Sequence, residues 1–196
     1  MVNALKEVEK FVDHIYDAKK PSRVITQKDM MNPKYDLTIG YGHALTKEER
    51  ASWKANMKMS KAEAHKLFMK DLGVAEKQVN NKLKTLPYDS QVEYSQGFID
   101  GLISLNYNMG YGNMFGNATK QPCEFWKRLN KCKIDEINGC INKQDIDYSL
   151  AKVNTQNVIA KGHVYRRRAE YKIMCQTFGE INPELYHLLA PEYRNS

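Results

Sequence analysis

Thr38-Ile39-Gly40-Tyr41-Gly42-His43 is a β-branched and apolar run closed by two glycines around a tyrosine. Thr and Ile fit a pleated surface, and glycine after such a run lets the backbone turn sharply or come close to another group. Upstream, Val24-Ile25-Thr26 has the same character, and the turn-rich Asp29-Met30-Met31-Asn32-Pro33-Lys34 separates it from Leu37-Thr38-Ile39. A small hairpin or three-stranded sheet is therefore expected between Tyr16 and His43. Before it, Leu5, Val8, Phe11, Val12 and Ile15 recur at three- and four-residue spacing, which predicts a short amphipathic helix over the first fifteen residues. Glu9 lies among those apolar positions.

Downstream the period is helical. Ser60 followed by Glu63 makes a capping box, and Ala64, Leu67, Phe68, Leu72, Ala75, Val79 and Leu83 continue one long helix that Pro87 limits. Phe98 to Met109 is apolar on most faces and reads as a buried helix, followed by a loop at Gly110, Gly112 and Gly116. Further helices are expected around Glu124 to Asn130, Lys133 to Ile141 and Val164 to Phe178. The fold class is thus α+β and mostly helical: one domain over 1–196, with a helix and β lobe (1–58), a connecting helix (59–86) and a helical lobe (87–196). Such bilobed arrangements place a binding cleft between the lobes.

With 42% hydrophobic and 27% charged residues, the composition excludes a disordered tail or a fibrous repeat. Thirty Lys and Arg against 23 Asp and Glu give +7, so the surface attracts polyanions, of which nucleic acid and bacterial cell wall are two. No aromatic-interleaved motif marks an RNA reader, so only weak nonspecific nucleic-acid binding is expected. The four cysteines, Cys123, Cys132, Cys140 and Cys175, lack zinc-knuckle spacing and read as reduced or core-filling. No His stands near a Cys at ligand spacing; no metal and no cofactor is expected. The first ten residues carry Glu7 and Glu9 and no apolar run, which does not read as a secretory signal, and no stretch is apolar enough for a membrane span.

A carboxyl group among apolar neighbours such as Phe11 and Val12 has its charged form disfavoured and can serve as a general acid. A second carboxylate, or a hydroxyl that positions water, would complete a site for acetal hydrolysis. The order of segments carries this further. Glu9 is followed seven residues later by Tyr16 and then by Thr38 to His43; Met59 to Ala64 leads to Leu67-Phe68 and Asp71; Ser104 to Gly112 and Arg166 to Glu170 come after. In this the chain resembles the phage-type lysozymes of the T4 and lambdoid endolysin kind.

The resemblance implies a peptidoglycan muramidase. Glu9 would protonate the glycosidic oxygen between N-acetylmuramic acid and N-acetylglucosamine, and Thr38 would hold water on the other face with an inverting outcome. A Thr hydroxyl orients water but does not take its proton at neutral pH, so a carboxylate base is still needed. The family places that Asp, or a Cys, two residues after the Tyr and six before the Thr. Here Ala18 stands at the first of these positions, and 21 residues separate Tyr16 from Thr38. Asp36 and Asp17 are the substitutes, and strand alternation favours Asp36, which shares a face with Thr38. Lys10 replaces the family's Gly after the acid.

By the same resemblance Tyr16, Asn108 and Arg168 would contact substrate, and His43 would bridge to Asp71 as a structural pair. Asn108 reads equally as a cap before Gly110, and the Arg166 to Arg168 cluster as a solvated basic face. The partners implied are peptidoglycan and an inhibitor or immunity protein, with no specific nucleic acid, no membrane insertion and a monomeric chain. Synthesis in the bacterial cytoplasm would be followed by delivery to the wall through a holin or a secretion apparatus. A lysozyme-fold protein that binds glycan or a protein without hydrolysis is the alternative, kept open by Ala18, Lys10 and the insertion.

Overall fold

The computed structural model describes residues 1–87 and 94–131, and beyond these 152–153, 158–159, 166, 169–170 and 172–174. The expected helix at 133–141, most of the one at 164–178, Arg167, Arg168 and the three later cysteines lie outside the described residues. The chain divides into two compact units, Lys6–Gly73 and Met1–Leu5 with Val74–Ser196. No helix of the described residues is long and apolar enough to cross a membrane.

The first helix, α1, spans Val2–Glu9, shorter than the apolar spacing predicts. Lys10 takes φ +44°, a left-handed conformation that ends the helix in the manner usual for glycine. Val12 and Ile15 then belong to a strand, β1 (Val12–Asp17). Five apolar positions over so short a run fit a helix or a strand, and the left-handed residue decides between them. Because a side chain in that conformation costs roughly 1–2 kcal/mol, Lys10→Gly is expected to stabilise the protein. The gain in a urea unfolding series should be about 0.5–1 kcal/mol once the greater freedom of unfolded glycine is deducted. An unchanged or lower midpoint would show that Lys10 makes a compensating contact.

Strand β2 (Leu37–Gly40) pairs antiparallel with β1 on one side and with β3 (His43–Ala44) on the other. Val12 faces Gly40 and Tyr16 faces Thr38, so β1 uses four residues where β2 uses two, and the strand bulges. The expected strand at Val24-Ile25-Thr26 does not form. Val24 is 83% exposed, and residues 19–35 make an irregular loop around one 3-10 turn, Gln27–Asp29. Side chains hold this loop where a ladder would have. The Arg50 guanidinium donates to the carbonyls of Leu45 (3.3 Å), Asn32 (3.4 Å) and Tyr35 (2.9 Å). The Gln27 amide donates to Trp53 O and accepts from Ala55 N, and Asp29 accepts from Thr26 and Arg23.

Helix α2 (Lys47–Ser52), which the hydrophobic pattern did not reveal, starts at a capping box of Thr46 and Glu49. Helix α3 (Lys61–Leu83) starts at Ser60, whose hydroxyl accepts from Glu63 N at 3.2 Å while the Glu63 carboxylate caps Ser60 N at 2.8 Å. The core of the smaller unit gathers Ile15, Met30, Leu37, Ile39, Leu45, Met59 and Ala64. In the larger unit, α4 (Gln96–Met109) is buried along Leu102, Ile103 and Leu105. The expected glycine loop contains a short helix, α5 (Tyr111–Met114), and α6 (Glu124–Lys131) follows. Phe115 packs edge-on against Trp126 at 4.7 Å. A short pair, β4 (Lys152–Val153) and β5 (Val158–Ile159), had no signal in the sequence pattern.

Candidate active site

Glu9 is the last residue of α1, and its carboxylate lies against the backbone of Gly42. A Cβ built on Gly42 would stand 3.0 Å from Glu9 Oε2 and press on that carboxylate, and the φ of +83° favours glycine there. Tyr16 is close to the same carboxylate. Its hydroxyl pKa is raised, first by burial and then by the Glu9 charge. The left-handed Lys10 and the bulged start of β1 bring the end of a helix and a strand tyrosine to one place, seven residues apart in sequence.

Tyr16 and Thr38 are directly opposed in the β1–β2 ladder and therefore share a face of the sheet. Asp17 opposes Leu37, a core residue, and so lies on the other face. It is 4% exposed, and its Oδ1 accepts from Lys19 N (3.1 Å) and Asp36 N (3.2 Å), which closes the neck of the 19–35 loop. The ladder extends one step further, because Ala18 N donates to Asp36 O at 2.8 Å. Asp36 thus stands across from Ala18, in line with Tyr16 and Thr38 by alternation. The Thr38 hydroxyl donates to the same Asp36 carbonyl at 3.2 Å, and the exposed Asp36 carboxylate meets Lys19 Nζ at 2.9 Å.

Tyr41, between the two glycines, packs against Phe11 (5.6 Å) and Phe68 (5.8 Å), with Lys6 Nζ 5.1 Å from its ring centre. Sequence reasoning assigned it no place; its only signal was the flanking glycines. Asn108 is half-buried on α4 in the larger unit, and Arg168 lies outside the described residues. Arg166, read from sequence as part of a solvated basic face, is instead buried against Glu170 in the larger unit. Among the described residues no group of three or more His, Cys, Asp or Glu could hold a metal ion.

His43 Nδ1 lies 2.7 Å from Asp71 Oδ2 and Nε2 lies 2.8 Å from Glu49 Oε2, so the imidazole joins β3 to both α3 and α2. Glu49 is the partner that the sequence did not disclose, and the Trp53 ring lies tilted beside the imidazole, 6.3 Å between ring centres. Burial works against the imidazolium, but the hydrogen bonds and charges of Asp71 and Glu49 outweigh it, and the His43 pKa is raised. Burial likewise opposes the Glu49 carboxylate, yet the Thr46 amide and His43 lower its pKa. The His43 contribution to stability is therefore full below the ordinary histidine value of 6.5 and is lost as pH rises through the raised one. The Glu49 contribution is full above its ordinary 4.5 and is lost on acidification. Urea unfolding should accordingly be hardest at mildly acidic pH, and Asp71→Asn should flatten the alkaline fall. An identical pH profile in that variant would remove the bridge from this account.

A family model for phage lysozyme matches residues 23–170, a span that begins after Glu9 and Tyr16. No curated protein matches the chain. Among solved structures, the muramidase domain of SpmX from Asticaccaulis excentricus is similar at 21% identity and TM-score 0.58, covering 90% of this chain and 95% of that one. An endolysin from Escherichia coli O157:H7 phage FAHEc1 is similar at 22% identity and TM-score 0.55, covering 91% and 93%. A mutant of P22 lysozyme is similar at 17% identity and TM-score 0.52, covering 89% and 94%. At these identities the likeness is one of fold.

Proposed function

The chain belongs to the phage lysozyme family, and from that membership we propose that it degrades peptidoglycan as a muramidase. It cuts the β-1,4 bond between N-acetylmuramic acid and N-acetylglucosamine with inversion, in lysis or antibacterial attack. One observation carries the reading: the Glu9 carboxylate lies on Gly42 beside Tyr16, and Tyr16 is the cross-strand partner of Thr38. Glu9 donates the proton to the leaving oxygen. The Thr38 hydroxyl hydrogen is engaged by Asp36 O, which leaves its lone pairs to accept from the attacking water.

Asp36 is the base in this reading. The family's acidic position is occupied by Ala18, and Asp36 stands across the ladder from it, so the carboxylate has moved from one strand to its partner on the same face. Asp17 is less suited, because its oxygen is spent on two backbone amides on the opposite face. An inverting pair needs roughly 6.5–9.5 Å between carboxyls to admit water. Tyr16, Asn108 and Arg168 are the proposed substrate contacts. Peptidoglycan is the partner, an inhibitor or immunity protein the natural regulator, and delivery past the cytoplasmic membrane falls to a holin or a secretion apparatus.

Digestion of purified sacculi followed by borohydride reduction tests this. A muramidase leaves reduced muramic acid at the new ends, and proton NMR of the digest before reduction shows the α anomer first if the reaction inverts. Reduced glucosamine ends would assign the other bond. Sedimentation with the wall and no new ends would establish the second reading, a non-hydrolytic wall binder, which Ala18 in place of an acidic residue favours.

A further inference from the structure

We propose that the larger unit carries a second wall-binding site, a concavity formed by Lys82, Tyr111, Phe115, Asn117, Lys120 and Pro122 that takes a carboxylate-bearing glycopeptide. The proposal deepens the muramidase reading and rests on it for the identity of the ligand. The cavity measures about 390 Å³, the size of one saccharide unit with a short peptide. All the residues that line it belong to the larger unit, whereas Glu9, Thr38 and Asp36 belong to the smaller one.

Its charge is one-sided. Lys82 Nζ lies 5.6 Å from the centre of the Tyr111 ring, and Lys120 Nζ donates to the neutral Asn113 amide oxygen at 2.8 Å. Among the described residues neither ammonium meets a carboxylate, and no Asp or Glu lines the cavity. Both lysines line the cavity with no carboxylate partner among the described residues, which is the arrangement an anionic ligand needs. Tyr111, Phe115 and Pro122 add apolar atoms to the lining, and the Gln121 side chain offers an amide to acetamido and peptide groups.

The site is also pre-formed. Asn117 Oδ1 accepts from Thr119 N (2.9 Å), Thr119 Oγ1 (3.0 Å) and Lys120 N (2.9 Å), which fixes the loop that presents Lys120. Gly116, at φ +79°, packs so closely that a Cβ there would come within 2.8 Å of the Pro122 ring. A loop ordered before binding spends little entropy when the ligand arrives. Two separated ammonium groups in a partly apolar, amide-bearing lining suit a carboxylate on a peptide-bearing sugar better than a run of phosphates.

The disaccharide-tetrapeptide monomer of peptidoglycan contains no bond for a muramidase to cut, so it reports binding alone. Titrated into the isotope-labelled protein, it should move the backbone amide signals of residues 111–122. The Lys82→Met/Lys120→Met double variant should bind about tenfold more weakly, a change worth about 1.4 kcal/mol, and chitotetraose, which has no carboxylate, should leave these signals in place. Signals that stay fixed with the glycopeptide, undiminished binding by the double variant, or equal shifts with chitotetraose would overturn the proposal. So would a phosphate polymer that outcompetes the glycopeptide at the same amides. The two readings separate cleanly. Hydrolysis of sacculi without these shifts sinks the second site alone, and shifts without hydrolysis sink the muramidase reading alone.

Discussion

Replacing Glu9 by Gln is expected to lower the rate of peptidoglycan hydrolysis by about 10²–10⁴-fold, the usual worth of a positioned general acid. The amide keeps the shape that fits over Gly42 but has no proton to give to the departing sugar oxygen. Because the change is isosteric at the surface of a tight glycine contact, the urea midpoint should stay within about 0.5 kcal/mol of wild type. Activity within a few-fold of wild type in Glu9→Gln, with folding intact, would remove Glu9 from the chemistry. The carboxylates of the loop neck divide differently. Asp36→Asn should reduce hydrolysis with little effect on unfolding, since Asp36 is exposed and its pair with Lys19 is a surface one. Asp17→Ala should do the opposite first, because it frees Lys19 N and Asp36 N at the base of the loop and lowers stability by about 1–3 kcal/mol.

The strand with Thr38 could be read from sequence because its residues agree at every level: β-branched side chains, alternation, and glycines where the backbone takes positive φ. The same alternation put Asp36 on the face of Thr38, although only the ladder showed that Asp36 stands across from Ala18. The readings that failed did so for want of tertiary information. Val24-Ile25-Thr26 has strand chemistry, but the Asp29 carboxylate and amide take up Thr26 N and Thr26 O, and no strand of the described residues pairs with it. Val12 and Ile15 fitted a helix until the left-handed Lys10 broke it, and nothing in a lysine announces that conformation. Glu49 was visible as an acidic residue three after Thr46, yet its second duty toward His43 depends on a fold that brings α2 and α3 to β3.

The largest stability effect is expected from Glu170. This carboxylate is fully buried, and its Oε1 accepts from the Ser104 hydroxyl at 2.6 Å and from Arg166 Nε at 3.1 Å. Arg166 is itself only 4% exposed and reaches the Ser104 carbonyl at 3.4 Å. An ion pair so placed adds little net stability over apolar side chains of the same volume, because desolvation offsets the attraction. Breaking it is another matter. Glu170→Ala removes the carboxylate that pairs with the buried Arg166 Nε, which should cost about 3–5 kcal/mol and lower the melting temperature by roughly ten degrees. Removing both charges as Arg166→Met with Glu170→Leu should recover most of that loss, because the two charges of the pair leave together and the space stays filled. The pair of measurements separates the two explanations for a destabilised single variant. If the double variant is as unstable as Glu170→Ala, the loss comes from packing around α4, where Gly101 already lies so close to Met174 that an added Cβ would collide with it. If the double variant recovers, the cost is that of breaking a buried ion pair, and the Arg166 side chain is a structural cation.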